Sequence, residues 1–147
     1  DFFMPQRLGA SYIDENSVRQ TPIMLHRAIL GSMERFIGML IEHYAGKLPV
    51  WLAPEQVVIL PISDKFSDYA IKITEELKKM TIRAVNDLRN EKIGFKIREH
   101  TLRKVPYAII IGEQEQNNNT VSLRSLKDGD LGVMSLNDFV NKFIINF

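Results

Sequence analysis

Apolar residues recur along this chain with two different periods. Alternation in ArgLeuGlyAlaSerTyrIle, residues 7–13, predicts a strand, and AspGluAsnSer, 14–17, predicts a turn. IleMetLeuHis, 23–26, reads as a second strand and completes an antiparallel hairpin with a long loop. Leu30, Met33, Ile37, Leu40 and Ile41 then recur at helical spacing, predicting a helix from about Ala28 to Tyr44 with Gly46 as its stop. Pro49 and Pro54 break the segment 45–55, where Trp51 and Leu52 are apolar enough to be expected to pack.

From Val57 onwards strands and helices alternate. ValValIleLeuProIle, 57–62, reads as a buried strand. Asp64 or Ser67 caps a helix to about Met80, with Ala70, Ile73, Thr74 and Leu77 on one face. A strand is predicted over 81–86. Asn90 could cap the next helix, which runs to about Arg103 and turns Ile93, Ile97 and Leu102 inward. ProTyrAlaIleIleIleGly, 106–112, and ThrValSerLeuArg, 120–124, are further strands, separated by a polar loop GlnGluGlnAsnAsnAsn. Ser135 with Asp138 resembles a capping box opening a last helix that buries Leu136, Phe139, Val140 and Phe143. The order predicts an α/β unit with a mixed sheet flanked by about three helices.

Composition narrows the function classes. A net charge of +1 excludes a uniformly basic nucleic-acid binder, so any RNA contact must be a local patch. The absence of cysteine excludes disulfides and thiol catalysis and fits a cytoplasmic location. No apolar run reaches the ~20 residues that span a bilayer, and no signal peptide is visible, so no membrane partner is expected. The chain opens DFFMPQ without an initiator methionine and reads as a fragment.

Two groups of residues carry candidate chemistry. Arg35 lies in the apolar helix beside Gly31 and Ser32; it is either a snorkelling or salt-bridged arginine or an anion ligand. His26 is either a structural histidine or a metal ligand. Further on, Arg83, Arg89, Lys92, Lys96, Arg98, Arg103 and Lys104 gather around one helix at the carboxyl end of a strand. That face is a phosphate-binding surface or simply a solvated one.

PIMLHRAILGSMERFIGMLIEHYAG resembles motif 3 of class II aminoacyl-tRNA synthetases, in the wording of threonyl-tRNA synthetases. DLRNEKIGFKIREHTLRKVPYAIIIGEQE, 87–115, resembles the anticodon-binding domain of the same family, and WLAPEQVVILPI looks like the junction. The resemblance implies that residues 1–50 end a class II antiparallel-sheet catalytic domain and that 51–147 form an anticodon-binding domain. It implies a threonine–tRNA ligase that works through a threonyl-adenylate, with ATP and Mg2+ as substrate, L-threonine and the tRNA(Thr) anticodon stem-loop as partners, and a homodimeric full-length protein. Arg35 takes the place of the motif 3 arginine that contacts ATP, and Ser32 lines the adenylate pocket. His26 matches one of two histidines that, with a cysteine, hold the family's zinc. The other ligands and the motif 2 arginine lie upstream in the family, so the fragment alone is expected to be inactive and unable to complete a zinc site. Asn90, Glu115 and Arg124 match base-reading positions for the second and third anticodon letters, G and U; Lys92 and Arg98 match basic positions beside them. The alternative is a non-catalytic RNA-binding module derived from such an enzyme, for which Arg35 and His26 would have no use.

Overall fold

A computed structural model of the chain describes residues 1–145. The chain divides into two compact units, Asp1–Gly38 and Met39–Phe147.

The first unit begins with a short helix α1 (Met4–Arg7), whose first turn is held by the Asp1 carboxylate accepting from the Phe3 and Met4 amides. Strands β1 (Tyr12–Ile13) and β2 (Arg19–Gln20) pair antiparallel, with Tyr12 opposite Gln20. A hairpin forms, but its strands differ from the expected 7–13 and 23–26. Asp14 causes the difference at the turn: its carboxylate accepts from the Asn16 and Val18 amides, both at 2.9 Å, which closes the loop early. Pro22 has no N–H to extend the ladder, so 23–26 stays outside it. A backbone exchange between Asp1 and Met24 and the contact of His26 with the Asp1 carboxylate tie that segment instead.

Helix α2 (Met33–His43) starts later than the apolar pattern suggests. Gly31 sits at φ +67°, a left-handed conformation that no helix interior accommodates, and Ser32 then caps the helix. At the other end, Gly46 donates to Ile41 at 2.9 Å and Ala45 to Glu42 at 3.1 Å. These are the paired bonds of a Schellman stop, with Ala45 carrying the positive φ usually given to glycine.

The second unit is a five-stranded mixed sheet in the order β4-β3-β5-β6-β7. Its strands are β3 (Val57–Pro61), β4 (Ala84–Asn86), β5 (Tyr107–Ile111), β6 (Val121–Ser125) and β7 (Gly129–Met134). β4 and β5 run parallel to β3, while β6 and β7 are antiparallel neighbours beyond β5. Helices α3 (Ser67–Lys79) and α4 (Ile93–Leu102) make the two crossovers.

Every residue of β3 is buried because both faces are covered. Val57 and Ile59 pack with Ile73 and Leu77 of α3 and with Phe139. Val58 and Leu60 point the other way and pack with Ile93 and Ile97 of α4. Phe139 belongs to α6 (Leu136–Phe139), which continues as a wider, π-type turn over Val140–Ile145. Ser135 caps α6 by accepting from the Asp138 amide, as expected.

Four sequence expectations change here. Ser63, rather than Asp64 or Ser67, caps the helical turn that leads into α3. The polar stretch after β5 is not a loop but α5 (Glu113–Asn118). β7 was not expected, although Asp128-Gly129 between apolar runs is a strong hairpin signal. Trp51 is 60% exposed rather than packed. The segment beneath it is clamped through its backbone instead. Arg83 donates to the carbonyls of Ala53 and Trp51 at 2.9 and 2.8 Å. The buried Gln56 side chain donates to Val50 at 3.1 Å and accepts from the Arg83 amide at 2.9 Å.

Replacing Gln56 by leucine keeps the volume but orphans the Arg83 amide. Gln56→Leu is expected to lower stability by about 1–3 kcal/mol in urea unfolding. An unchanged midpoint would show that the clamp contributes nothing.

Candidate functional site

The carboxyl ends of β3, β4 and β5 carry the connections richest in polar groups. β4 delivers Asp87, whose carboxylate is almost wholly out of water, 5% exposed. Arg89 meets it with a two-pronged contact, Nε to Oδ1 at 2.9 Å and Nη2 to Oδ2 at 2.7 Å. His100 Nε2 lies 3.0 Å from Oδ2 and donates to it. The Arg89 guanidinium beside Asp87, with the His100 bond, holds this carboxyl well below the usual carboxylate range against the opposing effect of burial. Arg89 also reaches Glu99 at 2.8 Å. Lys96, 2% exposed, donates to the Asp87 carbonyl at 2.9 Å and to Pro61 at 3.4 Å, tying together the ends of β4 and β3.

Lys96 and His100 are inward residues that the sequence reading did not pick. With Ile93 and Ile97 they make an i, i+3, i+4, i+7 stripe, so helical spacing alone pointed to them. Leu102 falls on the opposite side and is exposed, contrary to expectation.

Sorted by contact, the basic cluster splits. Arg83 clamps backbone, Arg89 and Lys96 belong to the Asp87 network, and Arg103 pairs with Glu55. Lys92 and Arg98 are exposed and have no ion-pair partner among the described residues. Asn90 is exposed too, and it is not the helix cap, a position taken by Lys92. These three share the β4–α4 connection and the outer side of α4.

Glu115 lies at the same carboxyl edge, on α5, half-buried. Its Oε2 accepts from the Gly112 amide at 2.9 Å, capping α5. Only the rest of that carboxylate is available to a ligand. Arg124 is set apart. It stands opposite Ala108 on β6, near the amino end of β5, about 13 Å along the sheet from Gly112 at ~3.3 Å per residue. It is exposed, unpaired among the described residues, and borders a cavity of about 20 Å3 with His100 and Thr101.

In the first unit, Arg35 is exposed on α2. Its guanidinium has no ion-pair partner among the described residues and can accept an anion. The Ser32 hydroxyl donates to Glu34 at 2.7 Å, which lowers the Glu34 pKa, and Ser32 also caps α2. His26, 61% exposed, lies 2.7 Å from the Asp1 carboxylate. A catalytic zinc takes three protein ligands. No group of three His, Cys, Asp or Glu side chains is assembled among the described residues.

Asp87 makes the β4–α4 connection pH-sensitive. Its folded pKa lies below the unfolded value, so its stabilisation is complete above about pH 4 and declines as pH falls below that. Asp87→Asn is expected to cost about 2–3 kcal/mol at pH 7. The difference from the parent chain should shrink in urea titrations repeated from pH 5 downwards; a constant difference would contradict the charge assignment.

Two family models match the chain in succession. Residues 1–44 match the tRNA synthetase class II core domain (G, H, P, S and T), and residues 56–145 match the anticodon binding domain. Threonine–tRNA ligase of Nitrosomonas eutropha is 61% identical over 140 residues, covering 95% of this chain and 22% of that protein. The enzymes of Francisella tularensis subsp. novicida and Ruthia magnifica are 60% and 56% identical, again with 22% of their length covered. The chain thus spans about a fifth of the curated relatives it matches. The solved RNA binding domain of threonyl-tRNA synthetase from Cryptosporidium parvum superposes with a TM-score of 0.75 at 36% identity, over 97% of this chain and 36% of that one. A mixed-sheet domain matched over residues 56–145, more than half of the chain, shows that the chain belongs to the anticodon binding domain family.

Proposed function

We propose that this chain is the anticodon-reading end of an enzyme that attaches L-threonine to tRNA(Thr) through a threonyl-adenylate made from ATP. The observation that carries the reading is the succession of the two family matches on one chain, at about 60% identity to threonine–tRNA ligases. The charge sorting supports it. Four basic groups of the cluster are consumed by the fold, while Lys92, Arg98 and Lys104, together with Arg124 of β6, have no ion-pair partner among the described residues.

In this reading residues 1–50 close the catalytic domain and 51–147 bind the anticodon stem-loop. Lys92 and Arg98 hold loop phosphates. The Asn90 amide and the Arg124 guanidinium donate to base edges, and the Glu115 carboxylate accepts from guanine N–H groups. Because Arg124 lies far from Glu115 along the sheet, the two meet different nucleotides or opposite sides of a splayed loop. In the complete enzyme Arg35 grips the Mg2+-bound ATP and balances charge as pyrophosphate departs. Ser32 contributes through its main chain, since its hydroxyl already caps α2. A homodimeric enzyme acting in the cytoplasm fits the family and the cysteine-free composition. No helix among the described residues is long and apolar enough to cross a membrane.

Binding to a tRNA(Thr) anticodon stem-loop, measured by fluorescence anisotropy, tests the reading. Changing the middle anticodon G is expected to weaken binding about tenfold or more. Arg124→Ala and Glu115→Gln should erase that preference. Lys92→Ala and Arg98→Ala should weaken both RNAs alike and flatten the salt dependence, by about 0.7 in log–log slope each. Equal, salt-sensitive binding of both RNAs by the parent chain would leave only phosphate contact, and the base-reading roles would fall.

A further inference from the structure

Helix α4 carries a large aromatic side chain on its outer surface. Phe95 is 52% exposed and belongs to neither hydrophobic cluster of the second unit. Its ring pairs with no other aromatic among the described residues. Packing therefore does not account for it.

Its neighbours are informative. Lys92 precedes it by three residues and Arg98 follows by three. At about 100° and ~1.5 Å per residue, Arg98 stands roughly 60° round the helix from Phe95 and ~4.5 Å along it, while Lys92 is the exposed cap residue at the start of the same turn. They are the two unpaired members of the basic cluster on this connection and helix, whereas Arg89 and Lys96 nearby are committed. Gly94, next to Phe95, has nothing within 4 Å of where a side chain would begin, so the helix surface beside Phe95 is open. An accessible π-face between two free cations suits an unpaired nucleotide, whose base stacks while its phosphates meet the cations. An apolar protein partner would leave both charges to be desolvated without compensation.

We propose that Phe95 is a stacking platform for an unpaired base of the RNA loop, with Lys92 and Arg98 on the flanking phosphates. This rests on the anticodon-binding reading above and deepens it. Every base has a π-face, so Phe95 supplies affinity without choosing among sequences, unlike Asn90, Glu115 and Arg124.

Phe95→Ala, Phe95→Leu and Phe95→Trp in the 147-residue chain test this, with the stem-loop and its middle-G variant as probes. Alanine and leucine are each expected to weaken both RNAs by a similar factor of about ten, without changing the salt slope. Tryptophan should retain or tighten binding. A 2-aminopurine in the loop should be quenched by the parent chain and by Phe95→Trp, but not by Phe95→Leu. Urea midpoints should stay unchanged, because the ring is half in solvent. Full binding by Phe95→Leu overturns the proposal, since it would mean an apolar contact or none. Loss on Phe95→Ala and Phe95→Leu without discrimination between the two RNAs would keep the platform and sink the base-reading roles. Failure of the parent chain to bind either RNA would overturn both.

Discussion

Asp87 stands at the end of β4 with its carboxylate almost wholly removed from water, a position that is very costly for an unpaired charge. Arg89 folds back onto it from two residues on, His100 reaches it from the last turn of α4, and Lys96 takes its carbonyl from the middle of the same helix. Each bond fixes a different part of the β4–α4 connection. Together they decide where α4 starts, which side of it faces the sheet, and which side is left to solvent. The outward display of Lys92, Phe95 and Arg98 follows from the inward commitment of Lys96 and His100.

The same network explains why a chain of almost neutral net charge can offer a basic surface. Cations are divided between scaffold and display. Arg83 and Arg103 stay on the amino-end side, fastening the 50–55 segment through backbone carbonyls and Glu55. Arg89 and Lys96 neutralise the strand ends. What remains free is a short, local set, and its strength would come from placement rather than from a long-range field.

The first unit obeys a different logic. Its elements are defined by side-chain to backbone bonds at turns: Asp1 on α1, Asp14 on the hairpin, Ser32 on α2. No residue of α2 is buried, although its apolar stripe is the clearest periodic signal in the chain. Arg35, set beside that stripe, is exposed as well: periodicity reports which residues would share a face, not whether anything covers it.

The sequence by itself did not determine α5 or β7, but it determined the alternation from Val57 through β5, the strand β6, the burial of β3, the stripe of α3 and the Ser135 cap. All of these rest on local period and capping chemistry. It also carried, through its motifs, the family to which the chain belongs. Only the tertiary structure decided the roles of the charges, because an arginine's function depends on which carbonyl or carboxylate comes within reach. Asn90, read as a possible cap, is free; Glu115, read as a loop residue, caps a helix; Arg124 lies away from both because β6 runs antiparallel to β5. The short strands of the first unit were misplaced for a related reason: turn bonds and a proline set their pairing, and these outweigh alternation over so few residues.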